Sequence, residues 1–369
     1  MIEPRPEILN TPLAHHGAFD YDELARLGLS PDDVIDFSVN SNPYGPPPGV
    51  GEAIATVPLD RYPDRECLAL RQKLAAQHGH RLENTVCVNG TAELLLLIAQ
   101  VFIRPGDAVV LGAPAFTEYG RVSRLMGAVI HTYPLHLLEH RVDYEQFEQL
   151  LRDLRPRVAF ICQPDNPTGI VWDLETFNAI AVRYPDTLFV IDEAYINFVY
   201  REQHQGIGLE SFFREAPVLK NVVLLRSLTK DYALAGLRLG YGLGHPDTIE
   251  SIRRVRPAWN VNALAQAAGL AVLDQSAWLR DCVQQLHADK NVLIAGLAQY
   301  GLKALPSATH YFLVDVGDGA AFRSKLLRHQ IMVRDCASFG LPQYVRIATR
   351  TPADNAKLLD AVAEIQHGR

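Results

Sequence analysis

Short apolar runs alternate along the chain with longer stretches of helical character. The runs are bounded by Gly and Pro and contain almost no polar residues, which is typical of strands buried on both faces of a parallel sheet. The pattern therefore predicts an α/β core. Six strands are predicted in this way: TVCVNG, DAVVLGAP, RVAFICQP, TLFVIDEAY, NVVLLRSL and RLGYGLG.

The pattern changes after about Pro257. A long helical tract precedes two strand-like runs, HYFLVDVG and YVRIAT, which is typical of a smaller α/β unit. The Pro-rich segment 41–50 predicts a hinge, because proline fixes its own φ and pushes the preceding residue to extended geometry. We therefore predict an N-terminal arm with part of the small domain at 1–48, a large cofactor-binding domain at 49–257 and a small domain at 258–369.

Composition and charge disfavour several classes of partner. The chain has 369 residues, is 48% hydrophobic and carries a formal net charge of -7, and no Lys/Arg block predicts a nucleic acid or a membrane surface as partner. The longest apolar run is too short to span a bilayer, and the first ten residues do not resemble a signal peptide. Five scattered cysteines favour free thiols over disulfides or a metal site. We expect a cytoplasmic protein without a metal.

Polar residues that could form a site follow several predicted strands, where open parallel sheets bind ligands. NGTAEL is a small-residue turn that opens a helix and suits a phosphate, although capping by Thr91 alone would also explain it. PDNPTG predicts a rigid loop that aims Asn166, and VIDEAY places Asp192 directly after a buried strand. A turn or a helix cap explains each of these motifs when it is taken alone.

Lys230 of SLTK follows the apolar run VVLL, where burial of an ammonium group is unfavourable. A Schiff base with a carbonyl cofactor removes this charge and supplies a catalyst. Among carbonyl cofactors, pyridoxal 5'-phosphate (PLP) matches this set of residues best. Asp192 would keep the ring nitrogen of PLP protonated, so that the ring withdraws electrons from the substrate. The predicted contacts are Gly90, Thr91, Ala92, Ser227 and Arg238 at the phosphate, Asn166 and Tyr195 at the phenolic oxygen, and Phe116 against the ring.

The combination resembles the fold type I PLP-dependent enzymes of the class I/II aminotransferase group. The resemblance runs from DFSVNSNPYGPP to YVRIATR and implies a large domain with a mostly parallel seven-stranded sheet and a smaller α/β C-terminal domain. It also implies catalytic roles for Lys230, Asp192 and Tyr195. Tyr62 of RYPD would reach the cofactor phosphate of the neighbouring subunit, which implies a homodimer with shared active sites.

The resemblance also implies where a substrate binds. It assigns Arg346 of YVRIATR to the substrate carboxylate, which a guanidinium group can hold in bidentate fashion. Arg334 of MVRDC would hold a second anionic group, although an exposed arginine without a ligand is an equal alternative. Asn166 would contact the substrate as well as the cofactor. We therefore expect a small L-amino acid as substrate, with a phosphate or another distal anion.

Within the group, two kinds of enzyme are similar to this chain. HHGAFDYDELARLGL, SLTK and PAWNVNALAQAA resemble threonine-phosphate decarboxylase, the enzyme that supplies the aminopropanol phosphate of cobalamin, and this reaction is our main hypothesis. LAGLRLGYG and DEAYINF suit histidinol-phosphate aminotransferase equally well, so transamination is the alternative. Side-chain elimination or cyclisation, as in relatives from specialised metabolism, is a third.

Four residues depart from the pattern of the group. His16 stands where we expect glycine, Gln163 and Asp165 replace asparagines, and Asp231 follows the lysine in place of an aromatic residue. We expect these changes to lie near the substrate and to affect its identity more than the cofactor chemistry.

Overall fold

A computed structural model describes residues 2–13, 17–201, 206–207 and 219–367 of the chain. Strands occur at the predicted apolar runs, and several short strands occur in addition to them. The strands are β1 (Ile35–Asp36), β2 (Thr85–Val88), β3 (Ala108–Ala113), β4 (Val129–His136), β5 (Arg141–Val142), β6 (Val158–Cys162), β7 (Leu188–Asp192), β8 (Tyr200–Arg201), β9 (Gly206–Ile207), β10 (Val222–Ser227), β11 (Gly240–Gly244), β12 (Tyr311–Asp315), β13 (Ile331–Met332), β14 (Arg334–Asp335) and β15 (Tyr344–Ala348).

Helices occupy most of the chain between the strands. Several of them begin at an Asp, Asn or Thr whose side chain accepts the N–H three residues later, as at Asp143 and Asn262. The helices are α1 (Pro6–Leu9), α2 (Tyr21–Leu27), α3 (Val50–Ala55), α4 (Leu68–His78), α5 (Thr91–Phe102), α6 (Thr117–Leu125), α7 (Tyr144–Leu154), α8 (Leu174–Arg183), α9 (Leu228–Asp231), α10 (Pro246–Val255), α11 (Ala263–Val272), α12 (Ser276–Gln299), α13 (Gly319–Arg328) and α14 (Pro352–Gln366).

The large sheet has the strand order β2-β11-β10-β7-β6-β3-β4-β5. The five strands from β10 to β4 are mutually parallel, and β11 is antiparallel to both β10 and β2. The mostly parallel seven-stranded sheet is therefore confirmed, and the two-residue β5 adds an antiparallel edge. The sequence pattern missed β4, which is largely exposed or half-buried, and it did not reveal that β11 runs in the opposite direction.

Both faces of the large sheet are buried. Successive residues of β10 illustrate this, because Val222 and Leu224 pack into one apolar cluster while Val223 and Leu225 pack into another. In β11, a Cβ atom at Gly242 would lie 2.6 Å from Leu94 Cδ2 of α5, so the helix packs directly on the strand backbone. The near-continuous apolar runs of the sequence thus correspond to strands covered by helices on both sides.

The C-terminal region contains the predicted smaller α/β unit. Its antiparallel sheet has the order β12-β15-β14, and α12, α13 and α14 contribute to the apolar cluster that it joins. Strand β1 pairs with β13 through Ile35 and Ile331, so the N-terminal segment is tied to this region. The boundaries 1–48, 49–257 and 258–369 stay a prediction. Among the helices of the described residues, none is both long and apolar enough to cross a membrane.

Candidate functional site

One cavity of about 270 Å³ collects eleven of the thirteen predicted site residues. It lies where the neighbouring parallel strands β6, β7 and β10 end, the edge at which open α/β sheets bind ligands. Strands β14 and β15 of the small sheet also contribute to its wall. The eleven residues are Thr91, Ala92, Phe116, Asn166, Asp192, Tyr195, Ser227, Lys230, Arg238, Arg334 and Arg346.

Lys230 lies in the short helix α9, immediately after the buried strand β10. Its carbonyl oxygen accepts a hydrogen bond of 3.0 Å from Asn42 N, which fixes the turn. Burial lowers the pKa of Lys230 to about 8, and the nearby cations Arg238 and Arg346 act in the same direction. About a tenth of the amine is therefore unprotonated at pH 7 and available as a nucleophile or base.

Asp192 ends β7 and is buried. Its carboxylate accepts hydrogen bonds of 3.0 Å from the Tyr119 hydroxyl and from Ala194 N. Burial raises the pKa of Asp192 to about 6, whereas these two hydrogen bonds lower it. The group is thus mainly ionised at neutral pH, and a buried carboxylate with this environment suits a cationic partner such as a protonated ring nitrogen.

Another part of the cavity wall suits a phosphate. Helix α5 begins at Thr91 after Gly90 (φ 78°) and has no side-chain cap, so its first N–H groups are available to an anion. A Cβ atom at Gly90 would lie 2.8 Å from Arg238 Nη2, so only glycine leaves room for this arginine. Ser227 Oγ lies 2.7 Å from Thr229 Oγ1 and adds hydroxyl groups to the same wall.

Arg346 and Arg334 form the part of the cavity that suits a substrate anion. They are directly opposite in the antiparallel pair β14–β15, and both are buried. Like charges in this position are unfavourable unless an anion lies between or beside them. Burial lowers the pKa of Arg334, and Arg346 lowers it further. Arg334 Nη2 also donates to Ser338 Oγ at 2.7 Å.

The guanidinium group of Arg346 is held by the protein on two sides. It donates to Asn166 Oδ1 and, at 2.5 Å, to the carbonyl oxygen of Ser38. Its Cζ lies 5.7 Å from the ring centroid of Tyr311, which forms a cation–π contact. Asn166, predicted to contact cofactor and substrate, is therefore also the residue that orients Arg346.

Two predicted aromatic contacts lie in the same cavity. Burial raises the pKa of Tyr195 to about 12, so its hydroxyl stays protonated and can donate a hydrogen bond at neutral pH. Phe116 immediately precedes α6 and packs edge-on against Tyr119, with ring centroids 5.5 Å apart. The roles assigned to Tyr195 and Phe116 remain predictions.

Two predicted site residues do not line the cavity. Gly90 acts through its lack of a side chain, as described above. Tyr62 has 78% of its surface exposed and stacks on Trp259 with ring centroids 4.6 Å apart. Within a single described chain, Tyr62 therefore makes no contribution to this cavity, and its predicted role requires a second subunit.

Three of the four unusual residues bond within the fold and do not line the cavity, so their expected effect on substrate identity stays a prediction. Gln163 exchanges hydrogen bonds with the backbone of Trp172. Asp165 accepts from Thr168, and Asp231 accepts at 2.7 Å from Asn197 Nδ2. The fourth, His16, lies outside the described residues.

Sequence reasoning missed several further residues of the cavity wall, among them Ser38, Asn40, Tyr119 and Phe339. Ser38 and Asn40 belong to the segment DFSVNSNP, whose position after the short strand β1 was the available signal. Tyr119 lies in the first turn of α6, and the Arg334 guanidinium lies 5.5 Å from the ring centroid of Phe339. Neither aromatic residue lies directly at the end of a predicted strand, so the search at strand ends did not find them.

The fold and the site together define an α/β enzyme whose cavity is lined by a partly buried lysine, a buried carboxylate and the uncapped start of a helix. The family model for aminotransferases of class I and II matches residues 32–362. The chain belongs to this family.

Relatives within the family are similar over almost the whole chain. Histidinol-phosphate aminotransferase 1 of Thiobacillus denitrificans is 35% identical over 349 residues, which cover 93% of this chain and 88% of the relative. The crystal structure of histidinol-phosphate aminotransferase from Sinorhizobium meliloti in complex with pyridoxal 5'-phosphate superposes with a TM-score of 0.86 and 26% identity, over 98% of this chain and 97% of that chain. L-Threonine-O-3-phosphate decarboxylase from Porphyromonas gingivalis superposes with a TM-score of 0.77 and 25% identity, over 90% and 99%.

Proposed function

We propose that the protein is a PLP-dependent aminotransferase of the histidinol-phosphate type, which transfers an amino group between a small amino compound with a distal anionic group and an oxo acid. The similarity to histidinol-phosphate aminotransferases favours this reaction over decarboxylation, our main hypothesis from the sequence. Transamination, the alternative in the sequence analysis, is therefore better supported than decarboxylation.

The observation that carries the proposal is Lys230 in the wall of the cavity. Burial and the nearby cations Arg238 and Arg346 lower its pKa to about 8, which leaves part of the amine unprotonated and reactive. When bound, PLP supplies an aldehyde that condenses with amines and a ring that withdraws electrons from the substrate α-carbon. Lys230 would hold the cofactor and, once released, move the proton at the α-carbon.

The other residues of the cavity would bind and orient. Asp192, fixed by the Tyr119 hydroxyl at 3.0 Å, would maintain a proton on the ring nitrogen of the cofactor. The N–H groups at the start of α5, with Ser227 and Arg238, would hold its phosphate. The Tyr195 hydroxyl would donate to the phenolic oxygen. These roles agree with the donors and acceptors that each residue presents to the cavity.

The paired arginines support a substrate with two anionic groups. Arg346 retains N–H groups beyond the two that Asn166 and Ser38 occupy, and it would hold a carboxylate. Arg334, opposite Arg346 in the sheet, would hold a phosphate or a second carboxylate. 2-Oxoglutarate would offer two carboxylates to this pair, whereas histidinol phosphate, which has no carboxylate, would offer its phosphate.

Threonine-phosphate decarboxylase is the second candidate, since a structure of that name superposes on 90% of this chain and several sequence motifs resemble it. Its substrate carries both a carboxylate and a phosphate, whereas histidinol phosphate carries only the phosphate, and the two arginines would bind it as well. The two reactions differ in which bond at the α-carbon breaks. Product analysis therefore distinguishes the two reactions, whereas a measurement of substrate binding does not.

The deciding experiment incubates the PLP-loaded protein with L-histidinol phosphate or with L-threonine O-3-phosphate, each with and without 2-oxoglutarate, followed by mass analysis. We expect a carbonyl product and glutamate only when both histidinol phosphate and the oxo acid are present. Carbon dioxide and the amine from threonine phosphate without oxo acid would establish the decarboxylase instead. A product of elimination or cyclisation, or no reaction, would contradict both candidates.

We also propose a cytoplasmic homodimer with shared active sites, on the strength of the exposed Tyr62 beside Trp259 and the family resemblance. The test mixes two inactive variants, Lys230→Ala and Tyr62→Ala, and allows subunits to exchange. Shared sites predict recovery of up to about a quarter of wild-type activity, because one hybrid site per heterodimer is intact. No recovery despite verified subunit exchange would contradict the sharing of sites.

A further inference from the structure

Tyr311 begins β12 and lies next to Arg346 without lining the cavity itself. In the antiparallel pair β12–β15, Leu313 is opposite Arg346 and Tyr311 is opposite Ala348. Residues two positions apart in a strand share a face of the sheet, so Tyr311 is the diagonal neighbour of Arg346 on the same face. Diagonal neighbours are within reach of aromatic and long side chains, and the Arg346 Cζ lies 5.7 Å from the ring centroid of Tyr311.

The hydroxyl group of Tyr311 connects the small sheet to the loop that carries Asn166. It donates a hydrogen bond of 2.8 Å to the carbonyl oxygen of Asp165. Burial raises the pKa of Tyr311 well above its ordinary value, so the hydroxyl stays protonated and remains a donor. The next residue of the loop, Asn166, accepts from the Arg346 guanidinium. One tyrosine therefore contacts both Arg346 and the loop whose amide side chain orients that arginine.

The ring of Tyr311 makes a further contact with the site. It packs edge-on against Tyr195, with ring centroids 5.2 Å apart and an interplanar angle of 72°, and Tyr195 lines the cavity. Tyr311 is completely buried, with 0% of its surface exposed, so close packing holds its ring in place. A smaller or more flexible side chain at this position would leave the guanidinium group held only by Asn166 and Ser38.

We propose that Tyr311 is a positioning residue, which holds the guanidinium group of Arg346 in the orientation that a substrate anion requires. This inference rests on the proposed function and assigns a role to a residue outside the cavity wall. The ring would restrict the guanidinium group through the cation–π contact, and the hydroxyl would keep Asn166 in place beside it. Loss of either contact would allow Arg346 more orientations, and only some of them can hold a carboxylate in bidentate fashion.

The test measures the dissociation constant of succinate, a dicarboxylate that does not react, for the PLP-loaded enzyme by calorimetry. Tyr311→Phe removes only the hydroxyl group and should bind succinate about 2- to 10-fold more weakly, as for loss of one hydrogen bond. Tyr311→Leu also removes the ring and should bind it at least about tenfold more weakly. The dissociation constant of PLP should be unchanged in Tyr311→Phe, because the ring that packs against Tyr195 remains.

Tyr144→Phe is the matched control. The Tyr144 hydroxyl accepts a hydrogen bond of 2.7 Å from Asp173 N, and Tyr144 does not line the cavity, so this variant should bind succinate as the wild type does. Both phenylalanine variants should have slightly lower unfolding temperatures than the wild type. The decrease should be small for Tyr311→Phe, because the Asp165 carbonyl oxygen still accepts from Gly169 N at 2.8 Å.

A double-mutant cycle separates this positioning role from a general structural one. Arg346→Lys removes the guanidinium group but keeps a cation. In this background Tyr311→Phe should cause no further loss of succinate affinity, because the group that Tyr311 positions is absent. Additive losses would show that Tyr311 does not act through Arg346 and would overturn the inference.

The outcomes also distinguish the inference from the proposed function. A wild type that binds succinate, together with a Tyr311→Phe variant that binds it equally well, would overturn the inference alone. If the wild type binds neither succinate nor an oxo acid, the proposed function fails and the inference fails with it. A loss of affinity in Tyr311→Phe that disappears in the Arg346→Lys background would support both.

Discussion

The substitution Asp165→Asn should destabilise the protein near pH 4 and stabilise it at pH 8. Asp165 is 4% exposed, and its carboxylate accepts from Thr168 Oγ1 at 2.7 Å and from Thr168 N at 3.2 Å. Burial nevertheless raises the pKa of Asp165 from 3.8 to about 7. The folded state thus binds this proton more tightly than the unfolded state, and stability is lost as the pH rises through this range.

The magnitude follows from the size of the pKa difference. About 3 pKa units correspond to about 4 kcal/mol of unfolding free energy, lost by the wild type between about pH 4 and pH 7. Asparagine does not titrate and keeps an acceptor for Thr168, but its buried amide N–H groups lack a partner, which destabilises by about 1–3 kcal/mol. The variant should therefore be less stable than the wild type near pH 4 and more stable by about 1–3 kcal/mol at pH 8.

Urea unfolding followed by tryptophan fluorescence at several pH values between 4 and 8 measures this difference. Asp173→Asn is the matched control, because hydrogen bonds from Thr176 lower the pKa of Asp173. That carboxyl is ionised in both the folded and unfolded states above pH 5, so its difference from the wild type should stay constant there. A difference between Asp165→Asn and the wild type that does not change with pH would refute the reasoning.

Three further predictions concern the cavity. Borohydride reduction of the PLP-loaded protein followed by peptide mass analysis should place the cofactor on Lys230 and not on Lys290. Burial also lowers the pKa of Lys290 to about 8, but its amine donates to backbone carbonyl oxygens. Lys230→Ala should lose the attached cofactor and reduce turnover by roughly 10³-fold, and full activity of this variant would disprove the role of Lys230. Arg346→Ala should weaken 2-oxoglutarate binding by about 2–5 kcal/mol with a smaller effect on PLP, measured by titration; unchanged affinity would disprove the carboxylate assignment. Gly90→Ala should displace Arg238, 2.8 Å from the added Cβ, and raise the dissociation constant of PLP, whereas Gly28→Ala, at another positive φ with open space around it, should not.

Local sequence patterns were sufficient to locate most of the cavity. Lys230, Asp192 and Asn166 each follow a run of apolar residues that forms a parallel strand, and parallel strands end at one edge of the sheet. Residues far apart in the sequence could therefore be placed together without a structure. The same rule does not apply to Asn40, which follows no strand of the large sheet, or to Tyr119, which lies inside helix α6.

Partners of buried polar side chains could not be predicted in the same way. Gln163, Asp165 and Asp231 were expected near the substrate because they depart from the pattern of the group beside site residues. A side chain one position away from a site residue often points in a different direction, and here each of the three bonds within the fold.

The sequence by itself determined the α/β class, the buried strands and the lysine, carboxylate and glycine turn, because apolar periodicity and turn chemistry are local properties. The tertiary structure decided the direction of β11, the pairing of Arg334 with Arg346 and the position of Asn40. These features depend on hydrogen bonds between segments that are distant in the chain, such as β14 with β15 and Asn42 with Lys230. Such contacts form only when the segments have packed together, so no local sequence pattern can predict them.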